Sequence, residues 1–167
     1  MAAWKLIGAL GVCLCLAAPL ASAQTTSPPG ITVSTGTGTP VTLTTAQLAS
    51  LPSVTLSVSF GTDHGPMRAQ FTGPLLWTVL SDAKAIDPAK PRSLVPLTVA
   101  VTGQDGYVAA IALGEIAPAF EGKKIILAEK MDGKPLGLEH FRLVVPGDKR
   151  GGRSVRDVVG IAVMSAK

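Results

Sequence analysis

The residues whose types and spacing could do chemistry lie in one stretch, Leu143–Val158, which reads LVVPGDKRGGRSVRDV. An apolar, strand-like run breaks into a glycine-rich basic loop and then returns to apolar residues. Gly147, Gly151 and Gly152 permit backbone conformations that bring N–H groups close to a ligand, and Lys149, Arg150, Arg153 and Arg156 supply positive charge. Arg142, just upstream, adds a fifth basic residue. Such a set suits an oxyanion, because hydrogen bonds between ionised partners are shorter and stronger than neutral ones. A second reading stays open, in which the basic side chains form a solvated turn and lay their stems along the surface. If the charges are merely solvated, Arg153→Ala should change stability by no more than about 0.5 kcal/mol. If they converge on an anion, the same change should spare the ligand-free protein and weaken binding.

Other constellations are sparse. His64 and His140 are the only histidines, and neither accompanies a nucleophile motif such as G-x-S-x-G. Both read as turn or surface residues, and Asp105, in Gln104-Asp105-Gly106, reads as a turn-former. Cys13 and Cys15 lie in an apolar N-terminal run. If that run is removed, no disulfide, thiolate nucleophile or cysteine metal ligand remains.

The N-terminus has the three parts of a secretory signal: Lys5, an apolar run from Leu6 to Leu20, and Ala21-Ser22-Ala23 as an A-x-A cleavage site. Residues 1–23 are therefore read as a signal peptide and the mature chain as periplasmic or secreted, with no later membrane span. What is left suits a single domain. The 15 basic and 11 acidic residues give a net charge of +4, of which cleavage removes one. With only 4% aromatic residues, this is no nucleic-acid surface; an anionic small molecule or cofactor is the better partner.

The elements that must position the basic loop follow in order. Residues 24–40 are rich in Thr, Ser, Gly and Pro and read as a flexible leader with one edge strand at Ile31–Ser34, so the domain is placed at 41–167. Thr44 or Thr45 caps a short helix that Pro52 stops. Ser53–Phe60 alternates apolar and small polar residues as a half-buried strand does; Met67–Thr72 is a second strand, and Pro74–Ala83 is a helix with Trp77 as a packing residue. Strands at Leu94–Thr102 and Tyr107–Ala112 flank the Gln104–Gly106 turn. A helical turn at Glu115–Phe120 and strands at Lys124–Lys130, Phe141–Val145 and Val158–Met164 complete an α+β, β-rich fold with two or three short helices.

The segments FTGPLLWTVL, VTGQDGYVAAIALGEI, ILAEKMDGKPL and FRLVVPGDKRGGRSVRDVVGIAV, in that order, resemble the oxidoreductase molybdopterin-binding domain of the sulfite oxidase type. The resemblance runs from about Leu43 to Met164. It implies a β-rich fold that holds molybdopterin and molybdenum between loops, and it implies a periplasmic redox partner. It assigns the cofactor side to Arg142, Lys149, Arg150, Gly152, Arg153, Ser154 and Arg156. The sequence departs from the family where catalytic members carry a molybdenum-ligating cysteine. Val54–Arg68 has none, which argues against the usual redox turnover and leaves only Asp63 and His64 as harder candidate ligands. A non-enzymatic module for another anionic ligand or a protein partner is the alternative. Intact-mass measurement of exported protein should give a chain beginning at Gln24; retention of Met1 would show the signal reading to be wrong.

Overall fold

The computed structural model describes residues 30–35, 38–137 and 140–165; the predicted signal peptide lies outside these residues. The order is β1 (Gly30–Thr35), β2 (Val41–Thr44), α1 (Thr45–Ser50), β3 (Ser53–Thr62), β4 (Gly65–Pro74), α2 (Leu76–Asp82), α3 (Pro91–Leu94), β5 (Leu97–Gly103), β6 (Val108–Ala112), α4 (Leu113–Ile116), β7 (Ile126–Ala128), β8 (Lys130–Met131), β9 (Lys134–Pro135), β10 (Arg142–Val144), a 3-10 turn (Gly151–Arg153) and β11 (Val158–Ser165).

The strands form a five-stranded sheet ordered β2-β1-β11-β5-β6, a four-stranded sheet ordered β3-β4-β8-β9, and a two-stranded ribbon of β7 and β10. The ribbon adjoins the end of β4 through an antiparallel bridge between Leu75 and Ile126, and its two faces serve two cores. Leu127 and Leu143 belong to the larger core, with Ile31, Val33, Val99, Val101, Ile161 and the apolar faces of α1 and α2. Ile126, Ala128 and Val144 face the other way, into a smaller core with Val58, Phe60 and Phe71. All six residues of β7 and β10 are buried. A strand buried on both faces reads as a continuous apolar run, as ILA of β7 does, whereas β10, RLV, begins with Arg142.

Local chemistry agrees with the larger arrangement. The Thr44 side chain accepts from the Gln47 N–H while the Gln47 side chain accepts from the Thr44 N–H, a reciprocal cap that starts α1. The hairpin between β3 and β4 is longer than the alternation predicts. Its pairing runs without a register shift from Ser53↔Pro74 to Thr62↔Gly65, because Gly61 and Pro66 are tolerated near its end. Among the described residues four short helices are present rather than two or three.

One boundary is corrected. The stretch 24–40 is not leader throughout, since β1 pairs with β2 on one side and runs parallel to β11 on the other. It is an internal strand, not an edge. Ile31 and Val33 fill the main core, which a Thr- and Gly-rich composition hides. Trp77 is partly buried against the same core, in a packing position.

A tight backbone contact occurs at Gly73, where the end of β4 runs antiparallel beside β7, with a bridge between Leu75 and Ile126. A Cβ there would lie 2.0 Å from the Leu127 carbonyl oxygen and 2.7 Å from the Ala128 Cα, both rigid backbone. Gly73→Ala is therefore expected to destabilise the protein at the upper end of the ~1–3 kcal/mol typical of overpacking. Gly114→Ala, on α4 with nothing within 4 Å, should be neutral or slightly stabilising. Urea unfolding of both variants checks the pair; equal stabilities would contradict the assigned contact.

Candidate functional site

The end of the buried ribbon opens into a cleft of about 610 Å³. One wall is the end of β3, Phe60 to Thr62, with Asp63 of the following turn; another is the β5–β6 turn with Asp105 and Tyr107. Arg142, Arg150 to Gly152 and Ser154 to Arg156 supply the rest.

Arg142 is the first residue of β10, and the alternation of the strand sends its side chain to the same face as Val144. It is only 9% exposed, the one charged residue among the buried described residues. Its guanidinium carbon lies 5.3 Å from the Phe71 ring centroid and 5.8 Å from that of Phe60, and Nε donates to Ser154 Oγ at 2.8 Å. Among the described residues no carboxylate lies within ion-pair distance of it. Burial lowers its pKa from the ordinary arginine value, the nearby charge of Arg156 lowers it further, and Asp157 acts weakly in the opposite direction. A buried cation with aromatic contacts and no ion-paired carboxylate leaves a field that an anion would neutralise.

The loop approaches this group by fixed contacts. Gly61 N–H donates to the Lys149 carbonyl at 2.9 Å, and Gly61 and Arg150 form an isolated parallel bridge. Gly151 lies against Phe60, where a Cβ would come within 2.9 Å of the ring. The Tyr107 hydroxyl donates to the Gly152 carbonyl at 2.6 Å, and the Tyr107 N–H donates to Asp105 Oδ1 at 2.9 Å, so Asp105 does form the turn expected of it while also lining the cleft.

The residues singled out from sequence separate into two groups. Arg142, Arg150, Gly152, Ser154 and Arg156 share the cleft, whereas Lys149 and Arg153 do not line it. Arg153 turns to Asp148, with Nε and Nη2 donating at 3.0 and 2.6 Å, and to both carboxylate oxygens of Glu115 at 3.2 Å. These partners raise its pKa, Asp148 most. Glu115 also pairs with Lys123 at 3.7 Å. The expectation that Arg153 converges with the other cations is therefore corrected. The carboxylate of Asp148, inside the same loop, holds its guanidinium at 2.6 Å and away from the cleft lining.

Of the weak metal candidates, Asp63 lines the cleft, while His64 sits on the hairpin turn outside it. His140 Nδ1 pairs with Asp157 Oδ1 at 2.5 Å, with both side chains about half exposed. Among the described residues no group of three His, Cys, Asp or Glu is placed to hold a metal ion. Phe60 and Tyr107 were missed as site residues, because nothing local to them signals that β3 and the β5–β6 turn border the loop.

The family description "Oxidoreductase molybdopterin binding domain" matches residues 29–167, and the chain belongs to that family. The fold is similar to that of the sulfane dehydrogenase SoxCD from Paracoccus pantotrophus, with a TM-score of 0.64 at 17% identity over 82% of this chain. This chain spans 38% of the length of that one. No curated protein matches the sequence.

The Arg153 pairs make a stability prediction opposite to that of a solvated side chain. An exposed ion pair contributes about 0.2–1 kcal/mol; Arg153, about a third exposed, has two carboxylate partners. Arg153→Ala should therefore cost roughly 1–2 kcal/mol after allowance for solvent screening. A ligand-free melting temperature indistinguishable from wild type would show the pairs to be dispensable.

Proposed function

We propose that this molybdopterin-binding oxidoreductase domain acts as an exported cofactor holder, with the anionic phosphate end of the pterin taken up by Arg142, Arg150 and Arg156 in the cleft. The observation that carries the reading is Arg142, nine-tenths buried, aromatic-flanked and without an ion-paired carboxylate. Ser154 fixes the plane of its guanidinium through Nε, which leaves the terminal nitrogens as the donors available to a phosphate. Arg150 and Arg156 are exposed at the rim, where they add charge without the desolvation cost that Arg142 carries. Gly152 contributes its backbone, and Arg153 orients the loop from behind through Asp148 and Glu115.

The two ends of the cofactor fit this cleft unequally. The cationic side suits the phosphate. The metal end departs from the pattern of catalytic members, because the cleft lining has no cysteine and offers only the carboxylates of Asp63 and Asp105 and hydroxyls as side-chain donors. When bound, molybdenum carried by molybdopterin would supply oxygen-atom and electron transfer. The donor set favours a second reading in parallel, a binding module that retains the anion cleft for another phosphate-bearing ligand and performs no turnover. Native purification separates the two: stoichiometric molybdenum supports the enzyme, and pterin or another anion without metal supports the module.

Pyrophosphate is a suitable probe for the phosphate site. A charge-assisted hydrogen bond to a buried cation is worth about 1.5–3 kcal/mol, so Arg142→Met should weaken pyrophosphate roughly ten- to hundred-fold. The same variant removes a desolvated charge, and the ligand-free melting temperature should hold or rise. Arg153→Ala should lower the melting temperature but retain most of the ligand-induced shift. The measurement is a thermal-shift titration at low and moderate salt, with the shifts shrinking as salt increases. Equal shifts in wild type and Arg142→Met would remove the phosphate assignment.

A further inference from the structure

Strand β3 is ten residues long and stands at the edge of its sheet, with β4 as its one ladder partner among the described residues. Which of its backbone groups face outward follows from two observations. Gly61 donates its N–H away from β4, to Lys149. On β4, Gln70 accepts from Asp132 N–H, and Thr72 accepts from Glu129 N–H, so both direct their backbone away from β3. Gln70 and Thr72 lie opposite Ser57 and Thr55 in a register without shifts. In an antiparallel ladder, hydrogen-bonded and non-hydrogen-bonded pairs alternate. Ser53, Thr55, Ser57 and Ser59 therefore present their N–H and C=O groups to the open edge, and Val54, Leu56, Val58 and Phe60 bond to β4.

Edges of this length are normally blunted by charge, proline or a bulge. From Ser53 to Thr62 this strand has none of the three. The obstruction comes at the far end, where Lys149 already takes the Gly61 N–H.

We propose that β3 is a pairing edge for a second copy of this chain, joined antiparallel about a twofold axis at Leu56. In that register Thr55 faces Ser57 and Ser53 faces Ser59, each pair exchanging backbone hydrogen bonds. Leu56 faces Leu56 and Val54 faces Val58, apolar side against apolar side. A twofold placed one residue later, at Ser57, would require Ser53 to bond Gly61, whose N–H is occupied. The absence of charge on the strand means that a copy meets no like-charge repulsion along the seam. Val54 and Leu56 are only partly buried against the smaller core, and the pairing would cover them.

The size of the contact sets its strength. About seven residues at ~3.4 Å each make a seam roughly 24 Å long and one sheet thick, on the order of several hundred Å² in total. This is below the ~1,200–2,000 Å² of stable specific interfaces, so the dimer is reversible and concentration-dependent.

The test is sedimentation velocity of the mature chain from about 5 to about 500 µM, with amide hydrogen exchange at the two ends of that range. The expected result is a shift from one chain to two on concentration, with exchange slowed at Thr55, Ser57 and Ser59. Ser57→Pro removes an outward N–H and leaves the β4 ladder intact, since proline is accepted on an edge; it should raise the dimer Kd more than tenfold with little change in melting temperature. Ser57→Lys, at an exposed position, should do the same if the proline variant folds poorly, whereas Ser57→Ala should dimerise like wild type. A monomer throughout, a dimer unaffected by both blocking variants, or growth beyond two chains would overturn the proposal.

Discussion

The arrangement depends on a ribbon of two three-residue strands that must be buried on both faces. Ile126–Ala128 and Arg142–Val144 have no solvated side, so each face needs its own cover, and the five-stranded and four-stranded sheets provide one each. This explains how a chain with short helices assembles two hydrophobic cores instead of one. It also explains why β4 must pass within contact of the ribbon backbone at Gly73. The residues flanking the ribbon inherit a fixed position from it, and the flanking residue that matters is Arg142.

A buried cation is normally matched by a carboxylate, because desolvation of an isolated charge is costly. Here the cost is moderated by two aromatic faces and one serine hydroxyl. That environment holds the guanidinium in place while leaving its charge uncompensated, a state that costs stability and benefits an anion site. Three carboxylates around the loop are engaged elsewhere. Asp148 and Glu115 hold Arg153, and Asp157 holds His140. The cations thus divide by position: Arg153 is paired with Asp148 and Glu115, and Arg142, Arg150 and Arg156 line the cleft.

The fold class was legible in the sequence because period-two alternation and turn residues are local properties of the chain. The capped helix after β2, the Gln104–Gly106 turn and the strands around the basic loop could each be placed from a few adjacent residues. The leader boundary was not, because β1 is stabilised by its two partners and by packing of Ile31 and Val33, while its own composition favours an extended or irregular chain. The family's order of segments supplied the cofactor class; composition alone went no further than an anion.

Sequence by itself determined that the basic loop exists, that it follows a buried strand, and that no cysteine lies in the stretch from Val54 to Arg68. It could not decide which cations line the cleft. Lys149, Arg150, Arg153 and Arg156 look equivalent in a one-dimensional reading. They separate only when folding brings Glu115, 38 residues away, within 3.2 Å of Arg153, and brings Phe60 and Tyr107 against the loop. The electrostatic environment of a side chain is set by neighbours within a few ångströms, and those neighbours come from parts of the chain that only the packing of β3, the β5–β6 turn and the ribbon brings together.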